Sequence, residues 1–501
     1  MRRKSFTVLL LAVALSMAAT ILVGCANTSE GKNPAVAATS ESGSGKIPVT
    51  SSSDEARKEF LAGRDLAEKL RITDSIQHYD KAIALDPTFA AAELNRATSS
   101  PTAKEFFDHL KKAVSLADKA SKGERLLILG TEAGANANAA KQKEYFEELV
   151  GAYPNDERAH FALGGYYFGQ QDYTRAIEHY KKATEINPTY STAFNILGYA
   201  YRQAGDYTNA EEAFKKYITL IPQDPNPYDS YAELLLKVGR FDESIAQYRK
   251  ALEIDSNFVN SHFGIAADLM YQGKHDEAQA ELQKLLGKAR TDGERRTALF
   301  GMSVVDADNG KLDQALSDAD KQYALGEKSS DIPNMTGDLQ LKAIIMLEKG
   351  KFDEAKDLFT RALKMTLESN QSQEIKDNAT LFSHFNLARV ALGKKDLATA
   401  KNEADAFQKA AATNNANQQK QVHSLNGMIA LEEKDYSKAI AELAQANQQN
   451  PYDLYRQCQA YQGKGDNAKA KEFCKRAAEF NTLPQMNLAF VRARAAKIAK
   501  G

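Results

Sequence analysis

Tryptophan is missing from the 501 residues, and there are only three cysteines and 12 prolines. Sparse proline suits a helix-rich folded chain, since proline removes a backbone donor from a helix interior. No HExxH, no CxxC and no glycine-rich loop after a strand occurs. The eight histidines, at positions 78, 109, 160, 179, 262, 275, 384 and 423, do not stand at metal-ligand spacing with a second histidine or a glutamate. No metal, no cofactor and no catalytic constellation is therefore expected, and the chain reads as a non-enzyme. An excess of charge of one sign is missing too. With 65 basic and 66 acidic side chains, no global field draws the chain to nucleic acid or to an anionic membrane. What is present is a 43% hydrophobic share, ample for a core.

The N-terminus has its own pattern. Arg2, Arg3 and Lys4 precede an apolar run from about Phe6 to Val23, the layout of a secretory signal over residues 1–24. The same run could just span a bilayer as an uncleaved anchor. Against that stands Leu22-Val23-Gly24-Cys25, which resembles the lipobox of bacterial lipoproteins. The resemblance implies diacylglyceryl transfer to the Cys25 thiol, cleavage before it, and palmitate-type acylation that anchors essentially permanently. Ala26 at the second mature position implies outer-membrane retention facing the periplasm. Removing residues 1–24 leaves 62 basic against 66 acidic side chains. Residues 25–53 are expected to form the lipidated cysteine and a flexible tether, because Ser, Thr, Gly, Ala and Asn dominate and little apolar surface can be buried. Its root-mean-square reach is roughly 30 Å.

Beyond the tether the chain repeats. Leu163, Gly164, Tyr167, Ala176, Tyr180, Ala183 and Pro188, shifted by 34, land on Leu197, Gly198, Tyr201, Ala210, Phe214, Tyr217 and Pro222. Small residues sit where two helices cross closely, and the proline stops the second helix. Midpoint turns such as Ala204-Gly205-Asp206 separate the helices. This pattern resembles the tetratricopeptide repeat. Markers for the close-packed position of each first helix are Gly63, Ala97, Gly130, Gly164, Gly198, Ala232, Ala266, Gly301, Ala343, Ala388, Gly427 and Cys458, giving twelve units. Spacing stays near 34 over residues 56–293 and lengthens over 294–419, where extra residues require longer helices or loops. Residues 420–484 hold the C-terminal units. Residues 485–501 carry Leu488, Val491, Ala495 and Ile498 at helical spacing and read as a capping helix, with a basic partner-binding helix as the alternative. A shortened first helix is expected near residues 98–102. The resemblance implies an all-α fold, an α-solenoid wound as a right-handed superhelix of about twelve helix hairpins with a concave groove.

On that template Cys458 and Cys474 face each other across the last hairpin. A disulfide fits an exported protein, and two buried thiols packing as small hydrophobes is the alternative. His78 and His179 occupy equivalent repeat positions, which points to a structural niche. Groove-facing positions in the regular units are Phe161, Phe168, Asn195, Tyr199, Arg202, Asp229, Glu233, Phe263 and Met270. Aromatics and an Asn–Arg pair there are residue types that bind peptides. The expected function is a protein-interaction scaffold of the bacterial envelope, binding peptide or helix segments of other envelope proteins in pilus, secretion, outer-membrane or cell-wall assembly. Two alternatives are an accessory subunit of a separate glycosyltransferase or other envelope enzyme, and a self-assembling structural module.

Overall fold

The computed structural model describes residues 45–500 apart from Leu70, Pro101, Thr102, Ala137, Ser372 and Asn414. The expected signal segment, Cys25 and most of the tether lie outside the described residues. The described chain is all-α, with 25 α-helices and no strand. It divides into two compact units, one running through Leu234 and the other from Leu235 onward.

The first unit holds five hairpins and most of an eleventh helix. They are α1 (Asp54–Glu68) with α2 (Ile72–Leu85), α3 (Ala90–Thr98) with α4 (Ala103–Leu116), and α5 (Lys122–Ala135) with α6 (Ala139–Ala152). Next come α7 (Glu157–Gly169) with α8 (Tyr173–Ile186), α9 (Ser191–Ala204) with α10 (Tyr207–Leu220), and α11 (Pro225–Lys237). At nine residues α3 is the shortest of the first helices.

The second unit begins at the end of α11 and continues through α12 (Phe241–Ile254), α13 (Val259–Tyr271), α14 (His275–Lys288), α15 (Asp292–Asp308) and α16 (Leu312–Ser329). Then follow α17 (Ile332–Glu348), α18 (Phe352–Glu368), α19 (Gln373–Gly393), α20 (Leu397–Ala410), α21 (Ala416–Glu432) and α22 (Tyr436–Gln445). The chain closes with α23 (Pro451–Lys464), α24 (Asn467–Ala478) and α25 (Met486–Lys500). The stretched spacing is taken up by longer helices: α15 to α19 run 17 to 21 residues.

Local chemistry sets the helix ends. Asp172, Asp206, Asp396, Asp435 and Asp466 each cap a second helix by accepting from the amide three residues on. Gly205 and Gly465 end α9 and α23 in the left-handed region, at φ of 82° and 84°. Where the marker of the first helix is glycine, the hairpin in several units closes around it. A methyl group added at Gly164 would sit 2.8 Å from the Tyr180 ring, at Gly198 2.7 Å from Phe214, at Gly63 2.9 Å from Tyr79, and at Gly427 2.5 Å from Leu443. The large side chain sixteen positions on occupies the missing methyl's space, so a small residue is required at the marker. Overpacking it costs about 1–3 kcal/mol.

Residues 45–53, the end of the expected tether, are not free. They run across helix ends of the first unit, where carboxylates take their backbone amides. Ile47 N donates to Asp156 (2.8 Å), Thr50 N to Glu124 (2.9 Å) and Ser52 N to Asp86 (2.8 Å), and Lys46 pairs with Glu157. Ile47 packs beside Tyr153 and over Gly123, and Val49 packs on the cluster of Phe60, Tyr79 and Phe89. Burial works against ionisation of Asp86, but bonds from Thr88, Ser51 and Ser52 outweigh it and hold the carboxyl down at about 2. That lies below the unfolded value of about 3.9, so its contribution is present above pH 4 and lost as pH falls through 2. Ile47→Ala is expected to cost about 1–2 kcal/mol locally and to raise the tryptic cleavage rate after Lys46 severalfold. An unchanged rate would mean that this strap does not hold in solution.

The last helix does more than cap. Leu488, Val491 and Ala495 are buried in α25, Ile498 is half-buried, and Phe490 is buried with them. In addition Arg492 donates to Asp308 of α15 (2.7 Å), and Arg494 donates to Glu348 of α17 (2.8 Å). Arg492 and Arg494 are therefore spent on acids of the same unit, and Lys497 and Lys500 stay exposed.

Candidate functional site

The second unit contains an open cavity of about 450 Å³ walled by four successive first helices, α17, α19, α21 and α23. Two glycines shape it. The space a methyl would need at Gly393, the end of α19, is filled by the ring of Phe352 at the start of α18, at 2.3 Å. Likewise Tyr436, at the start of α22, lies 2.1 Å from the position a methyl would take on Gly463 near the end of α23. Both rings thus turn onto the wall. Leu392, Met428 and Leu431 add apolar surface, and Gln459 is exposed at the rim.

Charged groups surround this apolar floor. Glu348 accepts from the Tyr452 hydroxyl and from Arg494. Burial first, then the charge of Glu348, pushes the Tyr452 phenol up. Arg456 pairs with Asp453 at 2.8 Å and lies over the Tyr452 ring, 4.3 Å from its centroid. Asp453 is itself fixed from α21 by the Ser424 hydroxyl at 2.7 Å. Glu432 pairs with Lys395 at 2.8 Å. Arg389, midway along the wall, has its guanidinium 5.9 Å from the Phe385 ring. The arrangement offers apolar contact, an aromatic rim and a cation, which are binding features. Among the described residues no group of three His, Cys, Asp or Glu could hold a metal.

The groove residues expected from sequence do not form one exposed floor. Asn195, Asp229 and Met270 are 0%, 2% and 1% exposed, inside the packed core. This corrects the assignment of those three to a partner-facing surface. A first helix packs on its own second helix and on the next hairpin, so only a narrow strip faces out, and these positions fall beside it. Phe161 is half-buried between Tyr180 and Tyr190, with centroids at 5.5 and 5.3 Å, and Phe168 meets Tyr173 edge-on at 5.6 Å. Tyr199 packs edge-on against Phe214 and donates to Ser230. Arg202 lies over the Tyr199 ring at 4.8 Å and pairs with Glu233 at 3.0 Å. Phe263 stacks with Phe300 at 6.4 Å. Arg202 and Glu233 therefore satisfy each other, and the aromatics serve packing within and between hairpins.

Cys458 and Cys474 are joined as a disulfide, with Cα atoms 5.2 Å apart. They take the marker position and the position sixteen residues on, the places filled by Gly164 and Tyr180 in the fourth hairpin. The histidines follow a rule that composition does not reveal. His262, His384 and His423 on first helices bond Glu281, Glu403 and Glu442, each nineteen positions later on the second helix, at 2.5, 2.6 and 2.8 Å. His160 meets His179 at the same separation, 3.1 Å apart. The histidine niche is thus a cross-hairpin polar contact, and spacing of nineteen was the available signal.

Sequence families agree with this architecture. A family model described as TPR repeat matches residues 164–201, and models described as tetratricopeptide repeat match 191–224, 226–258 and 263–331. These are tetratricopeptide repeats. No curated protein matches the chain. Among solved structures, a MamA protein is 23% identical with a TM-score of 0.30, covering 33% of this chain and 91% of its own. MamA residues 41 to the end from Desulfovibrio magneticus RS-1 are 16% identical, with a TM-score of 0.30 and coverage of 33% and 93%. A tetratricopeptide repeat protein from Parabacteroides merdae ATCC 43184 is 13% identical, with a TM-score of 0.37 and coverage of 55% and 98%. The repeats recognised at 164–331 share their hairpin construction with α17 to α24. Tetratricopeptide hairpins are interaction modules, and the cavity lies on the first helices of the last four.

Proposed function

We propose that this chain is a non-enzymatic scaffold of the bacterial envelope, tethered through a lipidated Cys25, which docks a segment of a partner protein on the first helices of hairpins nine to twelve. The observation that carries the docking reading is the open cavity itself. Four consecutive first helices leave Phe352, Tyr436 and Leu392 on an accessible concave wall, where large apolar side chains supply interface energy. The anchoring reading rests on the basic start, the apolar run and the Leu22–Cys25 tetrapeptide. The 45–53 strap would then join the anchor to the first unit.

Two measurements test the proposal. Cys25→Ser should abolish metabolic labelling by an alkyne fatty acid and release the chain from the membrane fraction; labelling that persists removes the anchor. Gln459→Trp, at an exposed rim position, should fill the cavity and lower partner recovery in quantitative affinity capture by tenfold or more, with an unchanged melting curve. Recovery equal to that of the unsubstituted chain would place docking elsewhere.

A further inference from the structure

Four charged side chains line the cavity, and three are neutralised within the chain. Glu348 has Arg494, Glu432 has Lys395, and Arg456 has Asp453. Arg389 differs. Among the described residues it meets the Phe385 ring and forms no ion pair, and Glu348 and Asp453 act on it only through longer-range charge. Burial, then the like charge of Arg456, pushes its guanidinium down to about 10, so it stays protonated at neutral pH. A half-buried cation without a paired carboxylate carries a desolvation cost, and an incoming anion relieves it.

The surroundings select the anion. A guanidinium fork matches a carboxylate in bidentate geometry. One negative charge balances the one unpaired cation, whereas a phosphoryl group, near −2 at neutral pH, would also face Glu348 and Glu432 on the walls. The apolar surface of Phe352, Leu392 and Tyr436 adjoins the arginine, so the group that enters carries a large apolar neighbour. The cavity crosses four first helices and is open at its mouth, room for a chain that enters and leaves. Its volume falls within the roughly 300–1,000 Å³ of ligand pockets.

We propose that the cavity recognises an internal acidic-apolar segment of a partner protein, with one Asp or Glu side chain paired to Arg389 and the adjoining apolar side chain seated on Phe352, Leu392 and Tyr436. This rests on the docking reading above and names what that site reads. Arg389 is its specificity determinant.

The test is selection of random 12-residue peptides, displayed with both ends blocked, on the full-length chain. Recovered peptides are then re-measured as synthetic acetylated amides. The expected result is enrichment of Asp or Glu beside a large apolar residue. Affinity should fall about tenfold or more on Arg389→Gln, and less on Arg389→Lys, which keeps the charge and loses the fork. Replacing the peptide's acid by its amide should cost as much in the unsubstituted chain and little in Arg389→Gln. A folded Arg389→Gln chain, checked by its melting curve, excludes a merely structural effect. Peptides without acid enrichment that still compete at Gln459→Trp would overturn the carboxylate inference and leave docking intact. Tighter binding of the phosphoserine versions than of the acidic ones would overturn it as well. Binders indifferent to both Arg389→Gln and Gln459→Trp, or no binders, would overturn both.

Discussion

Replacing Asp268 by asparagine is expected to stabilise the second unit at neutral pH. Asp268 lies in α13 with no exposed surface, and both carboxylate oxygens lack a well-formed hydrogen bond. Burial pushes its carboxyl up to about 8; the nearby Ser244 hydroxyl opposes this, and the charge of Asp242 adds to it. In the unfolded chain the group ionises near 3.9. Between pH 4 and 8 the folded state therefore keeps a proton that the unfolded state has lost, and stability falls as pH rises through that window. At about 1.4 kcal/mol per pH unit, the cost at pH 7 has an upper bound of about 4 kcal/mol. Asparagine never ionises, so Asp268→Asn should raise the melting temperature of the second unit by several degrees at pH 8. It should have little effect at pH 4, where the native carboxyl is already neutral. Scanning calorimetry at both pH values checks this. Equal shifts at pH 4 and pH 8, or a loss at pH 8, would show that Asp268 does not carry the proton.

Breaking the bond between Cys458 and Cys474 is expected to have the next largest effect. It closes sixteen residues in the last hairpin, whose outer neighbour is the single helix α25 rather than another hairpin. The chain-entropy estimate for such a loop is about 3 kcal/mol. Reduction should add two hydrogens to the intact mass, and Cys474→Ser should lower the melting temperature of the second unit. Both thiols are fully buried, so the serine hydroxyl would also be left without solvent. Tyr452 and Arg456 of α23 line the cavity, so fraying of this hairpin should weaken peptide binding along with stability. An unchanged mass on reduction would show two free thiols instead.

The hairpin stack was legible because close approach dictates residue type. All twelve markers from Gly63 to Cys458 fall in the first helix of a pair. At Gly63, Gly130, Gly164, Gly198 and Gly427 a ring or branched chain sixteen positions on explains why. The binding surface was less legible, because the free face of a helix depends on what its neighbours cover. Asn195 and Met270 looked groove-facing by projection and proved to be core. The cavity lies instead across the last stretched units and the C-terminal units, and the nearest sequence signs of it were Gly393 and Gly463 near first-helix ends, with Phe352 and Tyr436 opening second helices. Arg389 carried no sign at all, since its importance is the missing partner. The strap escaped for a related reason. Residues 45–53 have the composition of a free chain, but their acceptors Asp86, Glu124 and Asp156 lie 34 to 109 positions away.

The central claim is that partners dock on the concave wall of the last four hairpins. It is tested most directly by placing a photo-crosslinking benzoylphenylalanine at the exposed rim residue Gln459, and separately at Phe168 in the regular repeats, in cells making the full-length chain. A discrete adduct is expected from position 459 that disappears in the Arg389→Gln background, and none of comparable yield from position 168. An adduct from 168 with nothing at 459 would contradict it.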